Sequence, residues 1–176
     1  MKRAFTLIEV NLAIMVMAVG VLGIISLYAL GYREERQSRE DVASASYADA
    51  VMGPLVTALT ATNVKWSAFK DIKSSPGDRG WAHYLESEQT GKVRSNPDSL
   101  ARTAYSQTIR QLGISGFGTD IPVSDSNGGN LKPALVIMHE KDSAVVRISF
   151  RATEKENLLF AAPLYYTEAR FQGVVE

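Results

Sequence analysis

Cysteine is absent from the 176 residues, so no disulfide framework, thiolate-bound zinc or thiol nucleophile can exist, and the fold must hold by packing alone. Histidine is nearly absent. His83 and His139 stand without a ligand pair at metal spacing, and His139 follows an apolar run as a strand-end residue would. Charge of one sign is not in excess: Lys+Arg and Asp+Glu both number 19, giving a formal net charge of zero. That balance argues against a dedicated nucleic-acid binder, though it leaves room for a local basic patch. Phosphate-loop and nucleophile-elbow patterns are missing too. Gly113-Ile114-Ser115-Gly116-Phe117-Gly118 carries Phe117 where an elbow needs its second glycine, and lacks the strand-turn-helix context of a nucleotide loop. No internal repeat or low-complexity tract occurs. These absences predict a chain without catalytic residues and without a cofactor.

What is present is one long apolar run. Val10 to Tyr32 contains no charged residue, and only Asn11 and Ser26 interrupt its aliphatic, glycine and aromatic side chains. About 20 residues suffice to cross the hydrocarbon core as a helix, so this run is long enough. It is too long for a secretory h-region, and no small-residue cleavage site closes its far end. Lys2 and Arg3 precede it, whereas the mixture Arg33-Glu34-Glu35-Arg36 follows it. The positive-inside bias then predicts a cytoplasmic N-terminus and an exported C-terminal part. Glu9 sits at the edge of the run. A carboxylate there either reaches the headgroups or has a partner and a task.

The order of these features is informative. A short basic leader, then Ala4-Phe5-Thr6-Leu7-Ile8-Glu9-Val10, then an uninterrupted apolar helix resembles the N-terminus of type IV prepilins and type II secretion pseudopilins. The resemblance covers roughly the first 30 residues and reaches no residue downstream. It implies cleavage by a membrane prepilin peptidase between Ala4 and Phe5, and N-methylation of the new Phe5 amine. It also implies a subunit-assembly role for Glu9, whose carboxylate would meet the free amine of a neighbouring subunit's Phe5. An anion held in low dielectric gains most from a cation that only a correctly staggered neighbour supplies, so Glu9 would set register. The family prefers glycine before the cut, where this chain has Ala4. Expected partners are other pilin or pseudopilin subunits, the prepilin peptidase, an inner-membrane assembly platform and the lipid bilayer, with no clear nucleic-acid signal.

Beyond the membrane run, Arg33 to Ala61 is rich in helix formers. The spacing predicts a core-facing stripe of Val42, Ala45, Val51, Met52, Leu55, Val56 and Leu59, with Arg36, Arg39, Glu40 and Asp49 toward water. Gly53-Pro54 predicts a kink or helix boundary, because proline removes a hydrogen bond and crowds the preceding turn. Gly20, Gly23 and Gly31 are read equally as close-packing points or as ordinary membrane-helix glycines. From Asn63 to about Leu131 the chain is polar and punctuated by turn signals at Ser74-Ser75-Pro76-Gly77, Asn96-Pro97 and Asn127-Gly128-Gly129-Asn130. Within it, Asn96, Pro97 and Gly113 frame a helix over Pro97 to Leu112. Trp66, Phe69, Trp81, Tyr84 and Leu85 are read as anchors of these loops to the core, ahead of a ligand platform. Asp120, Asp125, Asn127 and Asn130 offer oxygens for calcium, which some pseudopilins bind in a C-terminal loop. Gly129 stands where the third ligand of an Asp-x-Asn-x-Asn pattern belongs, so the plain turn is preferred and no metal is assigned.

The last third predicts three antiparallel strands, at Ala134 to His139, Ala144 to Arg151 and Leu158 to Phe171. Turns fall at Lys141-Asp142-Ser143 and Thr153 to Asn157, and Pro163 interrupts the final strand or places it at an edge. Val146, Ile148 and Phe150 alternate with Arg147, Ser149 and Arg151, the pattern of a strand with one buried face. The expected class is α+β, a long N-terminal transmembrane and amphipathic helix packed on a small C-terminal antiparallel sheet, as in pilins. Residues 1–4 would be the leader, 5–32 the transmembrane assembly helix, 33–62 its amphipathic continuation and 63–176 the exported domain. The functional expectation is a structural subunit, of minor type, in a type IV pilus or type II secretion pseudopilus. The alternative is an unprocessed single-pass membrane protein displaying an exported binding domain.

Overall fold

The structure is a computed structural model of the chain, and it describes residues 6–77, 79–85, 96–124, 130–154 and 158–175. A single helix, α1, runs over Leu7–Leu59, and the chain divides into two compact units between Glu40 and Asp41.

In the first unit every described residue is exposed, including Leu12, Ile14, Met15, Val16, Leu22 and Ile25. Apolar side chains surround the helix on all sides, the signature of a segment meant for an apolar solvent or a large core. It is long and apolar enough to cross a membrane. From Arg33 the surface turns charged, and two i,i+4 ion pairs form: Arg36 Nε to Glu40 Oε1 at 3.0 Å and Arg39 Nη2 to Glu35 Oε1 at 2.5 Å. Each is exposed and contributes a few tenths of a kcal/mol to the helix.

The second unit begins with the last turns of α1. Its buried residues are Ser44, Tyr47, Ala48, Val51, Met52, Leu55, Ala58 and Leu59, an unbroken i, i+3, i+4 ladder. The stripe therefore differs from the predicted one at its start. Val42 is 67% exposed and Ala45 is exposed, because the inward face is opened by a serine. The expected helix boundary at Gly53-Pro54 does not occur either, since α1 stays helical for five residues beyond Pro54. Pro54 withholds a donor from the Ala50 carbonyl, but Ala50 is exposed and water can supply one. Val51, Met52, Leu55 and Leu59, buried on both sides of the proline, hold the helix in place. The Thr57 hydroxyl adds a bond to Gly53 O at 2.9 Å.

Among the described residues the helices that follow are α2 over Trp66–Lys70, α3 over Ala82–Leu85 and the longer α4 over Pro97–Leu112. The last has the predicted bounds and caps. Asn96 Oδ1 accepts from Asp98 N at 3.1 Å, Pro97 opens the helix, and Gly113 closes it at φ 64°.

The sheet comprises β1 Lys132–His139, β2 Val145–Thr153 and β3 Tyr165–Arg170, antiparallel in the order β1-β2-β3. The third strand is shorter than predicted. Leu158 to Leu164, which includes Pro163, forms turns instead, with Ala161 N and Ala162 N both bonded to Leu158 O at 3.0 Å. Leu135, Ile137, Val146, Ile148, Phe150 and Ala169 join the buried face of α1 and the inner face of α4 in the main core. Tyr47 meets Phe150 edge-on at 5.4 Å between centroids. The Ser44 hydroxyl donates to Asp41 O at 3.0 Å, so the Tyr165 hydroxyl donates to Ser44 Oγ at 2.9 Å and ties β3 to α1.

The sheet's second face was expected to meet solvent, but it is partly covered. Ala134 and Val136 pack there with Tyr84 and Leu159 in a smaller cluster. Trp81 Nε1 donates to Ser149 Oγ at 2.8 Å. Arg151 lies 5.2 Å from the Trp81 ring and 5.7 Å from the Phe160 ring, and its Nη1 donates to the carbonyls of Leu159 and Phe160. Its Nε is buried without a hydrogen-bond partner, the guanidinium charge being met instead by the aromatic faces. The arginine is thus a packing residue, which period-two alternation alone cannot reveal.

Candidate functional site at the start of the apolar helix

Thr6 is the residue before the first turn of α1, and Glu9 is the third residue within it. Glu9 Oε2 accepts from Thr6 N and from Thr6 Oγ1, both at 2.9 Å, while Glu9 N approaches Thr6 Oγ1 at 3.4 Å. This is a reciprocal capping box, in which each side chain satisfies a backbone donor that the helix start leaves open. Thr-x-x-Glu before an apolar run is legible in the sequence, yet reading Glu9 only as a membrane charge passes over it.

The box fixes the carboxylate. Both Thr6 bonds converge on Oε2, and among the described residues no donor is bonded to Oε1. A second cation or donor can therefore be taken without undoing the cap. Glu9 borders an apolar surface of Val10, Ala13, Ile14 and Met17, in which Val10–Ala13 and Ile14–Met17 are i,i+3 neighbours and Val10–Ile14 and Ala13–Met17 are i,i+4 neighbours. Chemically, this is one anionic acceptor at the end of an apolar helical stripe, suited to ordering another helix end. The predicted cleavage and methylation positions, Ala4 and Phe5, lie outside the described residues.

The remaining candidates are dispersed. Both ring nitrogens of His139 face backbone carbonyls, Nδ1 toward Ile72 O at 3.1 Å and Nε2 toward Ser143 O at 2.8 Å, so it clasps the β1 end to its neighbours. His83 packs edge-on against Tyr84 at 6.1 Å. Among the described residues no group of three His, Asp or Glu side chains could hold a metal. Of the calcium candidates, Asp120 and Asn130 are exposed, while Asp125 and Asn127 lie outside the described residues, as does Gly129. Phe69 and Tyr84 are buried, and Trp66 and Trp81 pack half-buried against the two clusters, so these aromatics anchor the loops.

Comparison with protein-family models, with curated proteins and with solved structures returned no match.

Proposed function

We propose that the chain is a structural subunit of a filament of the type IV pilus or type II secretion kind, processed at its N-terminus and assembled through α1. The observation that carries this reading is α1 itself. An unburied apolar helix begins with a locked carboxylate and continues without a break into a separately cored α+β unit. Such a helix needs an apolar partner along its length: lipid before assembly, and neighbouring helices afterwards. The Ala4-Phe5-Thr6-Leu7-Ile8-Glu9 sequence agrees with cleavage before Phe5, which would create an amine for Oε1 of a neighbour's Glu9. In the membrane the N-terminus would face the cytoplasm and the α+β unit would be exported.

The test is physical recovery. Filaments sheared from host cells and sedimented should contain this chain, and a crosslinker placed on α1 should yield adducts with filament subunits. Recovery solely as a membrane-bound monomer would overturn the reading. A second reading, a permanently anchored single-pass protein, is favoured by one observation: the Thr6–Glu9 box gives Glu9 a local structural role that needs no neighbour.

A further inference from the structure

Although the chain is electrically balanced, its lysines are unevenly placed. The end of α2, the strand of chain after it and the β1–β2 turn enclose an open groove of about 480 Å³. It is lined by Lys70, Asp71, Ile72, Lys73, Ser74, His139 and Lys141. The three lysines are exposed, and among the described residues none of their ammonium groups is ion-paired or hydrogen-bonded. Asp71 supplies the one carboxylate in the lining. The other polar groups are engaged: Ser74 Oγ donates to His139 O at 3.1 Å and accepts from His139 N at 3.0 Å, and both His139 ring nitrogens face carbonyls. The available chemistry is therefore three uncommitted cations around an open trough.

We propose that this groove binds a single-stranded nucleic acid through its phosphates. A lysine ammonium is a compact point charge on a flexible stem, and it suits phosphates arriving in varied orientations. Planar carboxylates are instead matched by arginine forks, and this lining contains none. An open trough suits a polymer better than a small ligand, which an enclosed pocket would surround. The neighbouring surface supplies the second requirement of single-strand binding, an aromatic ring for a base. Trp66 lies half-buried one helical turn before Lys70 on α2, braced by Phe69 at 6.0 Å and Phe171 at 5.0 Å between centroids. Binding of this kind is sequence-tolerant and salt-dependent. It is independent of how α1 is processed or assembled.

The experiment uses the full chain in neutral detergent micelles and a fluorescent single-stranded oligonucleotide, titrated by anisotropy between about 50 and 200 mM salt. Three phosphate contacts predict a log Kd versus log salt slope of about 2, from about 0.7 per contact. The variant Lys70→Ala/Lys73→Ala/Lys141→Ala should weaken binding by about tenfold or more at the lowest salt and flatten the slope. Arg33→Ala/Arg110→Ala/Arg170→Ala, with the same change in net charge, should bind as the parent does. Since all six side chains are exposed, thermal unfolding should match in all three proteins. Undetectable binding at the lowest salt, or equal losses in the two variants, would overturn the proposal. Lysine-dependent binding of inorganic polyphosphate as tight as that of the oligonucleotide would remove the role of the bases and overturn it. Tighter lysine-dependent binding of heparin would transfer the groove to acidic polysaccharides and overturn it as well.

Discussion

Gly173 lies against the Val64 backbone, and replacing it with alanine tests the docking of the C-terminal segment directly. A Cβ built at Gly173 would lie 2.0 Å from the Val64 carbonyl oxygen, 2.9 Å from the Val64 carbonyl carbon and 2.9 Å from Phe171 Cε2. The first two atoms are backbone, so no side-chain rotation relieves the overlap and the segment must move away. Two hydrogen bonds depend on its position: Val174 N to Val64 O at 2.9 Å and Trp66 N to Val174 O at 3.1 Å. At about 1 kcal/mol each, their loss costs about 2 kcal/mol. Loosening the edge-on Trp66–Phe171 contact, 5.0 Å between centroids, adds about 0.5–1 kcal/mol. Gly173→Ala should therefore destabilise the second unit by about 2–3 kcal/mol and lower its Tm by roughly 6–15 °C. Both tryptophans, Trp66 and Trp81, belong to that unit, so tryptophan fluorescence of the full chain in detergent follows it selectively. Gly53→Ala is the paired control. Its Cβ would meet no atom within 4 Å, and in a helix interior it should stabilise by about 0.5–1 kcal/mol. If Gly173→Ala shifted Tm no more than the control, the described docking of the C-terminal segment would be wrong.

Three further outcomes are expected. Glu9→Gln keeps a capping side chain but removes the charge, whereas Glu9→Ala removes both. If Glu9 pairs with a neighbour's amine, both variants should insert in the membrane yet fail to enter sedimentable filaments, and normal incorporation of Glu9→Gln would reduce Glu9 to a helix cap. Burial pushes the Tyr47 and Tyr84 hydroxyls up to about 12 from an ordinary value of 10. The folded state thus holds protons that the unfolded state releases. The stability each contributes is complete below pH 10 and lost as pH rises toward 12, with the more deeply buried Tyr84 hydroxyl losing more than the partly screened Tyr47 hydroxyl. Denaturant midpoints that stay level between pH 9.5 and 11.5 would contradict this. Tyr165→Phe removes the donor to Ser44 Oγ and should cost about 1 kcal/mol in urea unfolding, with an unchanged midpoint arguing that the tie is not formed.

Much of this architecture was legible because it rests on periodicity and caps. The apolar run, the framed helix Pro97–Leu112 and the three antiparallel strands follow from local chemistry at Asn96, Pro97, Gly113 and the alternating residues of β2. What escaped depends on partners distant in sequence. Ser44 is inward because Tyr165, 121 positions later, donates to it, and hydropathy alone places a serine outside. Pro54 fails to end the helix because core contacts outweigh a local preference. Arg151 reads as a solvent-facing residue until Trp81 and Phe160 are seen flanking it. At the candidate site, Glu9 was visible as an unusual charge, while its bond to Thr6 was encoded in a four-residue pattern with a second meaning. The lysine groove gathers residues 70–74 with 139–141, and no linear reading places those side by side.

Cleavage between Ala4 and Phe5, N-methylation of the new Phe5 amine and assembly through α1 stand or fall with the state of the N-terminus, which N-terminal peptide mass spectrometry of the protein from its host's membranes reads. The expected result is a mature chain beginning at N-methylated Phe5. A chain still carrying Met1 or Lys2, in cells whose prepilin peptidase processes other substrates, would contradict it and leave a permanently anchored membrane protein.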